Sequence, residues 1–440
     1  MGQMHNHPRV VILGAGFGGL WAARSMAHTR AEVMLLDRNN YHTFLPLLYQ
    51  VAAAELSPED IVYPVRSILR KLPNVQFCLA DIHRVDFSST TVATNGQAIA
   101  YDYLILAMGS VTHFFGVPGA AQHAFNLKTL EQGIDLRNQI LSCFERALHE
   151  RNRECRRRLL TVAIVGGGPT GVEFTGALAE LVRGPMVKDF RQLDLREVRV
   201  VLLEASQTLL SGLPRKLSAY AQDRLHRMGV ELHLGTTVSE VTRLFVKLKD
   251  GTVIPTETVI WTAGVRGDPM AEFWGLPTSG GGRVQVLPTL QLADHPEVYI
   301  VGDLAHGEAN GRPLPMIAPV AMQQGTTAAR NILRHMNGGN PLPFHYSDRG
   351  TMVTIGRNAA VVNFAGCAVS GFAAWVVWLS VHLAKLIGFR NRLLVLINWA
   401  WDYLFYERAV RLILPFRTGG DLRQRESNST STEDSGDSAA

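Results

Sequence analysis

Two glycine-rich segments carry the strongest chemical signal in the sequence. The first reads Gly14-Ala15-Gly16-Phe17-Gly18-Gly19, and the second reads Gly166-Gly167-Gly168-Pro169-Thr170-Gly171. Each follows a short β-branched run and precedes a helix-like stretch. Glycines in this setting let a strand turn sharply into a helix, whose free N–H groups and positive dipole end face a pyrophosphate. Two such segments predict two bound dinucleotides, with electrons passing from one to the other.

An acidic residue at the end of the strand after each glycine segment predicts a clamp on a ribose. Asp37 follows the first segment at close to the expected spacing of about 20 residues. Glu204 follows the second segment at a longer distance, which fits an insertion over residues 183–197. Ala205 and Ser206 come next rather than an arginine, so the carboxylate should repel a 2′-phosphate. The second site is therefore predicted to prefer NADH over NADPH.

A third motif, Gly302-Asp303, follows an apolar strand-like run and precedes a helix-like segment. In flavoproteins with this arrangement, such an aspartate binds the ribityl chain of FAD. Gly109 ends another apolar run that is typical of a buried parallel strand. Together with the first glycine segment these residues favour FAD there, although a Gly-Asp pair also forms ordinary turns.

These motifs need parallel sheets to position them, and the sequence repeats one plan twice. Residues 8–40 and 159–265 both read as strand, glycine turn, helix and strand. We predict an α/β fold with two Rossmann-like dinucleotide-binding domains, the second inserted in the first, plus a C-terminal helical membrane-associated segment. The predicted divisions are residues 1–125 and 285–365 for FAD, 126–284 for NADH, 366–416 for the anchor and 417–440 for a disordered tail.

Composition excludes several other classes of protein. The net charge of +5 comes without blocks of lysine and aromatic residues, so no nucleic-acid partner is expected. The four cysteines lack C-x-x-C or metal-type spacing, which argues against a disulfide framework or a metal site. The first residues lack the charged and apolar regions of a secretory signal, so we expect a reducing cytosolic environment.

The C-terminal segment differs in composition from the rest of the chain. It is rich in tryptophan and tyrosine, and five of its residues share one face at helical spacing, namely Trp375, Trp378, Leu379, His382 and Leu386. Its apolar runs fall short of the roughly 20 residues that a span needs. With flanking arginines at 390, 392, 408, 411 and 417, it predicts a monotopic anchor on anionic lipid. The alternative is a helical cap buried on the protein or in a dimer interface.

Taken together, these segments resemble the two-dinucleotide-binding-domain flavoproteins and, within them, the type II, non-proton-pumping NADH:quinone oxidoreductases. The resemblance also includes residues 41–52, 261–265, 318–325 and the tryptophan-rich run 375–403. It implies that NADH reduces FAD and that FAD passes two electrons to a membrane quinone of a respiratory chain. It further implies a peripheral, monotopic enzyme, with a possible homodimer, on the cytoplasmic face of the inner or cell membrane.

The resemblance implies roles for individual residues. Contacts with FAD are implied for Gly14, Ala15, Gly16, Phe17, Gly18, Gly19, Asp37, Arg38, Thr43, Gly109, Asp303 and Ala318. Contacts with NADH are implied for Gly166, Gly168, Pro169, Thr170, Gly171, Glu204, Ala263 and Gly264. A quinone pocket is implied for Ala318, Pro319, Met322 and Gln323.

Glu173 and Gln323 are the catalytic candidates. The glutamate that matches Glu173 is proposed in the family to help proton delivery; the alternative is a glutamate that merely favours the helix dipole. Gln323 matches the second glutamine of the family motif A-Q-x-A-x-Q, whereas Pro319 replaces the first and removes a donor. The alternative for Gln323 is an ordinary polar residue of a helix.

Two other functions remain open on the sequence. One is an FAD- and NADH-binding redox sensor with slow turnover, whose tryptophan-rich segment contacts a partner. The other is a sulfide:quinone oxidoreductase or disulfide reductase, which needs a redox pair of cysteines near the flavin. The sequence has no short-spaced pair and no cysteine in residues 41–53.

Replacing Glu204 with arginine tests the assignment of the second site. Loss of the carboxylate and gain of a guanidinium should shift preference from NADH toward NADPH, because arginine pairs with a 2′-phosphate. Steady-state kcat/KM for the two cofactors measures the ratio. An unchanged NADH selectivity would contradict the assignment.

Overall fold

The computed structural model describes residues 7–309, 311–405 and 410–414. Its first sheet has six strands with the first glycine segment at its centre. In spatial order the strands are Gln291–Leu292, His295–Ile300, Tyr103–Leu106, Arg9–Leu13, Glu32–Asp37 and Val75–Leu79. All neighbours are parallel except the first pair. Residues 10–13 are fully buried, which explains their continuous apolar run.

The second sheet repeats the arrangement with five parallel strands. Its order is Ala124–Phe125, Thr258–Trp261, Thr161–Val165, Arg199–Glu204 and Glu231–Leu234. The chain leaves the first sheet after Tyr103–Leu106, builds the second, and then returns as His295–Ile300 beside the strand it left. The predicted fold, with one dinucleotide-binding unit inserted in the other, is confirmed.

Small sheets flank both units, and their strand pairs are antiparallel except for Arg283–Gln285 with Ala305–His306, which is parallel. Their strands are Tyr41–Thr43 with Val62–Pro64; Ile82–Asp86, Thr91–Thr94 and Ala98–Ala100; Ser110–Thr112 with Val265–Gly267; Val238–Val241, Phe245–Leu248 and Val253–Pro255; Thr278–Ser279, Arg283–Gln285 and Ala305–His306; and Glu308–Ala309 with Arg312–Pro313. A last sheet contains Thr351–Thr354, Ala360–Phe364 and Cys367–Gly371.

The helices of the described residues follow the predicted order. The α-helices are Phe17–Ser25, Leu48–Ala52, Val65–Leu69, Ala120–His123, Leu130–His149, Arg153–Leu159, Pro169–Arg183, Pro185–Asp189, Arg215–Arg227, Met270–Phe273, Ala318–Met336, Phe372–Lys385 and Phe389–Phe405. Short 3₁₀ turns are Leu45–Leu47, Pro58–Asp60, Leu195–Glu197 and Gly302–Leu304. The predicted insertion over 183–197 contains the short helix Pro185–Asp189 and one of these turns.

The last sheet extends across one predicted division. Phe364 pairs with Cys367, so the boundary between residues 365 and 366 cuts through a single hairpin. Val353 and Val361 are buried in one core cluster with Phe174 of the second glycine-segment helix. Residues 351–371 therefore pack on the unit that contains the second glycine segment and lead directly into the C-terminal helices. The domain divisions stay predictions, and residues 417–440 lie outside the described part.

The C-terminal helices belong to the folded body on one side only. Trp378 and Val395 are buried in the main core, and the Asn391 amide donates to the backbone carbonyls of Glu59, Asp60 and Val62. The face predicted from the spacing of Trp375 and Trp378 therefore packs on the protein itself. This agrees with the alternative prediction of a helical cap buried on the protein. In the described ranges, no helix is long and apolar enough to cross a membrane.

The opposite side of these helices exposes large apolar side chains. They are Phe372, Val376, Val377, Phe389, Leu393, Leu396, Ile397, Trp401, Leu404 and Phe405. We call this set the exposed apolar face. Monomeric soluble proteins rarely expose so many large apolar side chains on one surface. Such a surface is typical of a site that binds another protein or a membrane.

Candidate functional site

The first glycine turn is shaped for close approach of a ligand. Gly14 has φ of +104°, and a Cβ there would lie 2.5 Å from the Ala107 carbonyl oxygen. A Cβ on Gly19 would lie 1.8 Å from the Gly14 carbonyl oxygen, so only glycine fits at this position in the first turn of the helix Phe17–Ser25. A Cβ on Gly16, by contrast, would have no neighbour within 4 Å. The turn is closed on its protein side and open where a pyrophosphate approaches the helix N-terminus.

Asp37 supports this turn from the next strand. One carboxylate oxygen accepts from the Ala15 N–H at 2.7 Å, and the other accepts from the Asn39 N–H at 2.8 Å. Burial raises the pKa of Asp37, and these backbone donors oppose the rise. Each oxygen keeps a further lone pair, which leaves acceptor capacity for a ribose hydroxyl.

The second glycine turn repeats this geometry. Gly166 has φ of +114°, and a Cβ on Gly171 would lie 1.8 Å from the Gly166 carbonyl oxygen, while Gly168 is open. Glu204 accepts from the Gly167 N–H at 2.5 Å and from the Ser206 N–H at 2.7 Å. The two predicted acids therefore hold equivalent positions, each bonded to its own glycine turn.

The remaining residues predicted for NADH lie beside this turn. A Cβ on Gly166 would lie 2.6 Å from Cα of Ala263, and the ring of Phe115 covers Gly264. Pro169 and Thr170 are exposed in the first turn of the helix that begins there. The structure thus brings together the glycine turn, Glu204 and the Ala263–Gly264 segment at the carboxyl edge of the second sheet.

A polar cluster lies where the first sheet meets the crossover to the second unit. The Ser110 hydroxyl donates to Asp303 at 2.6 Å, and the Lys128 ammonium donates to Ser110 at 2.9 Å. The Lys128 nitrogen is also 3.9 Å from the Asp303 carboxylate. Burial lowers the pKa of Lys128, whereas Asp303 raises it. Asp303 was predicted from the sequence. Ser110 and Lys128 were not, because neither residue lies in a motif of known spacing.

The other residues predicted for FAD surround the first turn from several elements. Arg38 directly follows Asp37, Thr43 lies in a short strand, and Gly109 has φ of +78° after the central strands. Phe17 packs edge-on against the His42 ring, whose Nδ1 donates to the Ala15 carbonyl. Ala318 begins the helix Ala318–Met336, which a contact between Gly325 and Gly18 holds against the first helix.

Glu173 lies in a cavity of about 450 Å³ between the second unit and the C-terminal helices. Its Oε1 accepts from the Thr354 N–H at 3.4 Å and from the Trp378 indole N–H at 3.3 Å. Burial raises the pKa of Glu173 to about 8, although both hydrogen bonds act to lower it. A carboxylic acid that is protonated near neutral pH is suited to hold and release a proton.

The walls of this cavity are mainly aromatic and aliphatic. Lining residues from the C-terminal helices are Phe372, Trp375, Val376, Trp378, Leu379, Leu383, Leu396, Trp399 and Tyr403. From the first unit, Tyr49 and Gln50 line it, and the Gln50 side-chain oxygen accepts from the Trp399 indole at 3.0 Å. Sequence analysis placed residues 41–52 in the resembling segments but assigned no role to Tyr49 or Gln50.

Gln323 does not reach this cavity. Its amide donates to the Ser347 carbonyl and accepts from the Ser347 N–H, both at 2.9 Å. Ala318, Pro319 and Met322 do not line the cavity either. The neighbouring Gln324 is fully buried and accepts from the Gly302 N–H at 2.7 Å. The structure thus separates the two catalytic candidates, and the part of Gln323 in a quinone pocket stays a prediction.

Comparison with known proteins agrees with this geometry. Residues 8–325 match the pyridine nucleotide-disulphide oxidoreductase family, and residues 349–407 match the NDH2 C-terminal domain. A type II NADH:quinone oxidoreductase of Mycobacterium tuberculosis is 39% identical over 91% of this chain and 89% of its own. The chain belongs to the type II NADH:quinone oxidoreductases. A member from Staphylococcus aureus is 31% identical over 82% of this chain and 91% of its own.

Solved structures confirm the fold of this type II NADH:quinone oxidoreductase. NDH2 from Plasmodium falciparum, in complex with NADH, superposes with a TM-score of 0.86 at 18% identity, over 93% of this chain and all of that one. The sulfide:quinone oxidoreductase of Aquifex aeolicus gives a TM-score of 0.71 at 17% identity, over 91% of this chain and 96% of that one. At these identities the likeness concerns the fold alone.

The raised pKa of Glu173 predicts a dependence of stability on pH. Between the ordinary glutamate pKa of 4.5 and about 8, the folded state keeps a proton that the unfolded state has lost. The free energy of unfolding should therefore fall as pH rises through this window. Glu173→Gln removes the titration. As pH rises through this window, the free energy of unfolding of the variant should therefore increase relative to that of the wild type by a few kcal/mol in total, on the order of one kcal/mol for each pH unit.

Denaturant unfolding of both proteins from pH 5 to pH 8 measures this difference. Glu145→Gln, the same exchange at an exposed site of another helix, is the matched control and should follow the wild type. A constant difference between Glu173→Gln and wild type would contradict the raised pKa.

Proposed function

We propose that this protein transfers electrons from NADH through FAD to a membrane quinone, without proton pumping, at a membrane surface. The observation that carries the proposal is the apolar cavity, because it places a half-buried glutamic acid between the unit of the second glycine segment and the C-terminal helices. The names of the relatives, NADH:quinone oxidoreductases from several organisms, support the same function.

The two glycine turns fit the two dinucleotides. Each turn is open at its middle glycine and closed at the others, which is the shape that a pyrophosphate needs. The first turn, with Asp37 and the Ser110–Lys128–Asp303 cluster, would hold FAD, and the second, with Glu204, would hold NADH. Bound FAD supplies the chemistry that accepts a hydride and passes its electrons on. The protein supplies binding and orientation.

The cavity fits a quinone ring. Binding sites for such ligands are concave, mainly apolar and furnished with a few polar groups. Here the polar groups include Glu173, Gln50 and Thr354 among aromatic walls. Reduction of a quinone takes up protons as well as electrons, and Glu173 holds a proton near neutral pH. We infer that Glu173 acts as a general acid toward the quinone.

The family motif around residue 318 is the second candidate for contact with the quinone. Pro319 offers no N–H and no side-chain amide, so the first position of the motif cannot donate here. We retain Ala318, Pro319, Met322 and Gln323 as a candidate rim. Since Gln323 is already bonded to Ser347, a quinone would have to compete for that amide.

The alternative functions gain less support. A sulfide:quinone oxidoreductase needs cysteines at the flavin, but Cys78, Cys143, Cys155 and Cys367 are free and none of them lines the cavity. A redox sensor would bind both dinucleotides and turn over slowly. Rapid oxidation of the bound flavin by quinone separates the proposed enzyme from this sensor.

Stopped-flow absorbance of the flavin tests the function directly. NADH should bleach the flavin, and a soluble quinone should restore its absorbance. In Glu173→Gln the quinone step should slow by about tenfold or more, because a general acid contributes at least that much, while the NADH step changes little. Glu145→Gln controls for the exchange itself. Failure of quinone to reoxidise the wild-type flavin would overturn the function, and equal effects on both steps would contradict the role of Glu173.

We further propose that the exposed apolar face docks on the cytoplasmic leaflet of the cell membrane. Lys385, Arg390 and Arg392 are exposed beside Phe389 and Leu393, so cationic groups stand next to apolar ones. This pairing suits the headgroup level of an anionic bilayer. The position also places the cavity, which shares Leu396 with the face, next to a lipid-soluble substrate. A homodimer that buries the same face is the alternative occupant.

Charged substitutions within this face separate lipid from a second copy. Leu393→Glu with Leu404→Glu should weaken binding to vesicles of anionic phospholipid by about tenfold or more, since burial of each leucine is worth roughly 1.5–3 kcal/mol. Leu342→Glu, at a leucine of similar exposure elsewhere, should bind like the wild type. Co-sedimentation with vesicles measures binding. Unchanged binding would contradict docking, and conversion of a wild-type dimer to monomers would instead support the second copy.

A further inference from the structure

Glu173 is hydrogen-bonded in an asymmetric way. Both donors that reach its carboxyl group, the Thr354 N–H and the Trp378 indole N–H, point to the same oxygen, Oε1. A backbone N–H and an indole N–H only donate, so Oε1 must act as the acceptor in both contacts. Oε2 has no hydrogen-bond partner among the described residues. The proton of the neutral acid therefore belongs on Oε2.

The indole that makes this contact is held rigidly. Trp378 is 1% exposed and stacks on the His382 ring with a centroid distance of 4.0 Å and an angle of 23°. His382 Nδ1 donates to the Trp378 carbonyl at 2.8 Å, which fixes the ring beneath the indole. Tyr49 and Trp399 contact the indole from two further sides. The direction of the indole N–H is thus set by the packing of the C-terminal helix.

We propose that Trp378 is a positioning residue for Glu173: its indole N–H fixes Oε1 as the acceptor oxygen and leaves Oε2 to exchange the proton with the cavity. This inference rests on the proposed function, in which Glu173 supplies a proton to the quinone. In this proposal the helix Phe372–Lys385 not only lines the cavity but also positions the carboxyl group of Glu173 through a hydrogen bond.

The other groups around Glu173 show why a neutral donor matters here. Titratable groups that line the cavity from neighbouring elements are Tyr49, Glu55, Glu180, Arg357, Asp402 and Tyr403. Burial, and after it the carboxylate form of Glu173, raises the pKa of Tyr49, so this phenol stays protonated. His382 is mainly neutral near pH 7, because burial lowers its pKa to about 4. The indole therefore favours the carboxylate without bringing a charge that itself titrates near neutral pH.

Trp378→Phe removes the donor and keeps an aromatic ring. The carboxylate then loses a hydrogen bond while the burial stays, so the pKa of Glu173 should rise. Infrared titration of the purified, FAD-bound protein measures this, with Glu173→Gln identifying the carboxyl band that belongs to Glu173. We expect the midpoint to move up by roughly one pH unit, a tenfold change in proton affinity.

Trp399→Phe is the matched control for this titration. It removes the equivalent indole donor from the adjacent helix, but that donor serves Gln50 rather than Glu173. Its midpoint for the Glu173 band should equal that of the wild type. An unmoved midpoint in Trp378→Phe, or an equal shift in both variants, would overturn the inference.

A second measurement covers the case in which Trp378→Phe does not fold. In wild-type protein labelled with 5-fluorotryptophan, the fluorine signal of Trp378 should titrate with the midpoint of Glu173. That titration should vanish in Glu173→Gln. A set of indole signals that all ignore the ionisation of Glu173 would contradict the contact.

The pH profile of the quinone half-reaction separates this inference from the proposed function. If Trp378→Phe shifts both the infrared midpoint and the kinetic profile, both proposals hold. If only the infrared midpoint moves, Trp378 positions Glu173 but Glu173 does not supply the proton. If quinone reoxidises no flavin in the wild type, the function fails, whereas the infrared result still decides the role of Trp378.

Discussion

Close backbone contact at glycines is the constraint on which the rest of the structure depends. A Cβ on Gly19 or Gly171 would lie within 2 Å of the carbonyl of its own turn. Any larger residue would push the helix away from the strand, and with it the N–H groups that face a pyrophosphate. Close backbone contact at a glycine also occurs between other elements. Gly325 packs on the Gly18 carbonyl, and Gly176 packs on the backbone of Gly356.

These contacts connect the two dinucleotide turns to the cavity. The contact at Gly176 holds the 351–356 segment against the second glycine-segment helix, and that segment supplies the Thr354 N–H to Glu173. Because Glu173 lies in the first turn of the same helix, the turn that would bind NADH and the group that would protonate quinone share one rigid element. A displacement of that helix would therefore disturb both half-reactions together, whereas a change at Trp378 would reach only one.

The parts of the fold that are local in sequence could be predicted, and the parts that depend on distant neighbours could not. Each glycine turn, its strand, its helix and its acid lie within a short stretch, so their types and spacing sufficed. The return of the chain at residues 295–300 was also visible, because a second apolar strand ended in Gly302-Asp303. Ser110 and Lys128 escaped notice, since only the tertiary fold brings them to Asp303.

The environment of the C-terminal helices also could not be predicted from local sequence. Periodicity found the face that includes Trp378, but it could not say whether that face meets protein or lipid, because both environments favour apolar side chains. The packed core answers this for one side: Trp378 is buried against Tyr49 and Trp399, so the predicted face meets protein. The bond from Gln323 to Ser347 likewise joins residues whose pairing no periodic pattern encodes.

The two sides of the first C-terminal helix, Phe372–Lys385, differ in their surroundings. The helix Phe372–Lys385 has Trp378 on its inner side, in contact with Glu173, and Val377 on its outer side. This helix is therefore buried on one side, while its other side exposes apolar side chains together with Ser380 and Lys385. Among the inner contacts of this helix, the indole of Trp378 reaches the carboxyl group of Glu173. If the exposed apolar face docks on lipid as proposed, lipid and Glu173 would lie on opposite sides of a single helix, so membrane binding and the positioning of Glu173 would depend on different residues of that helix.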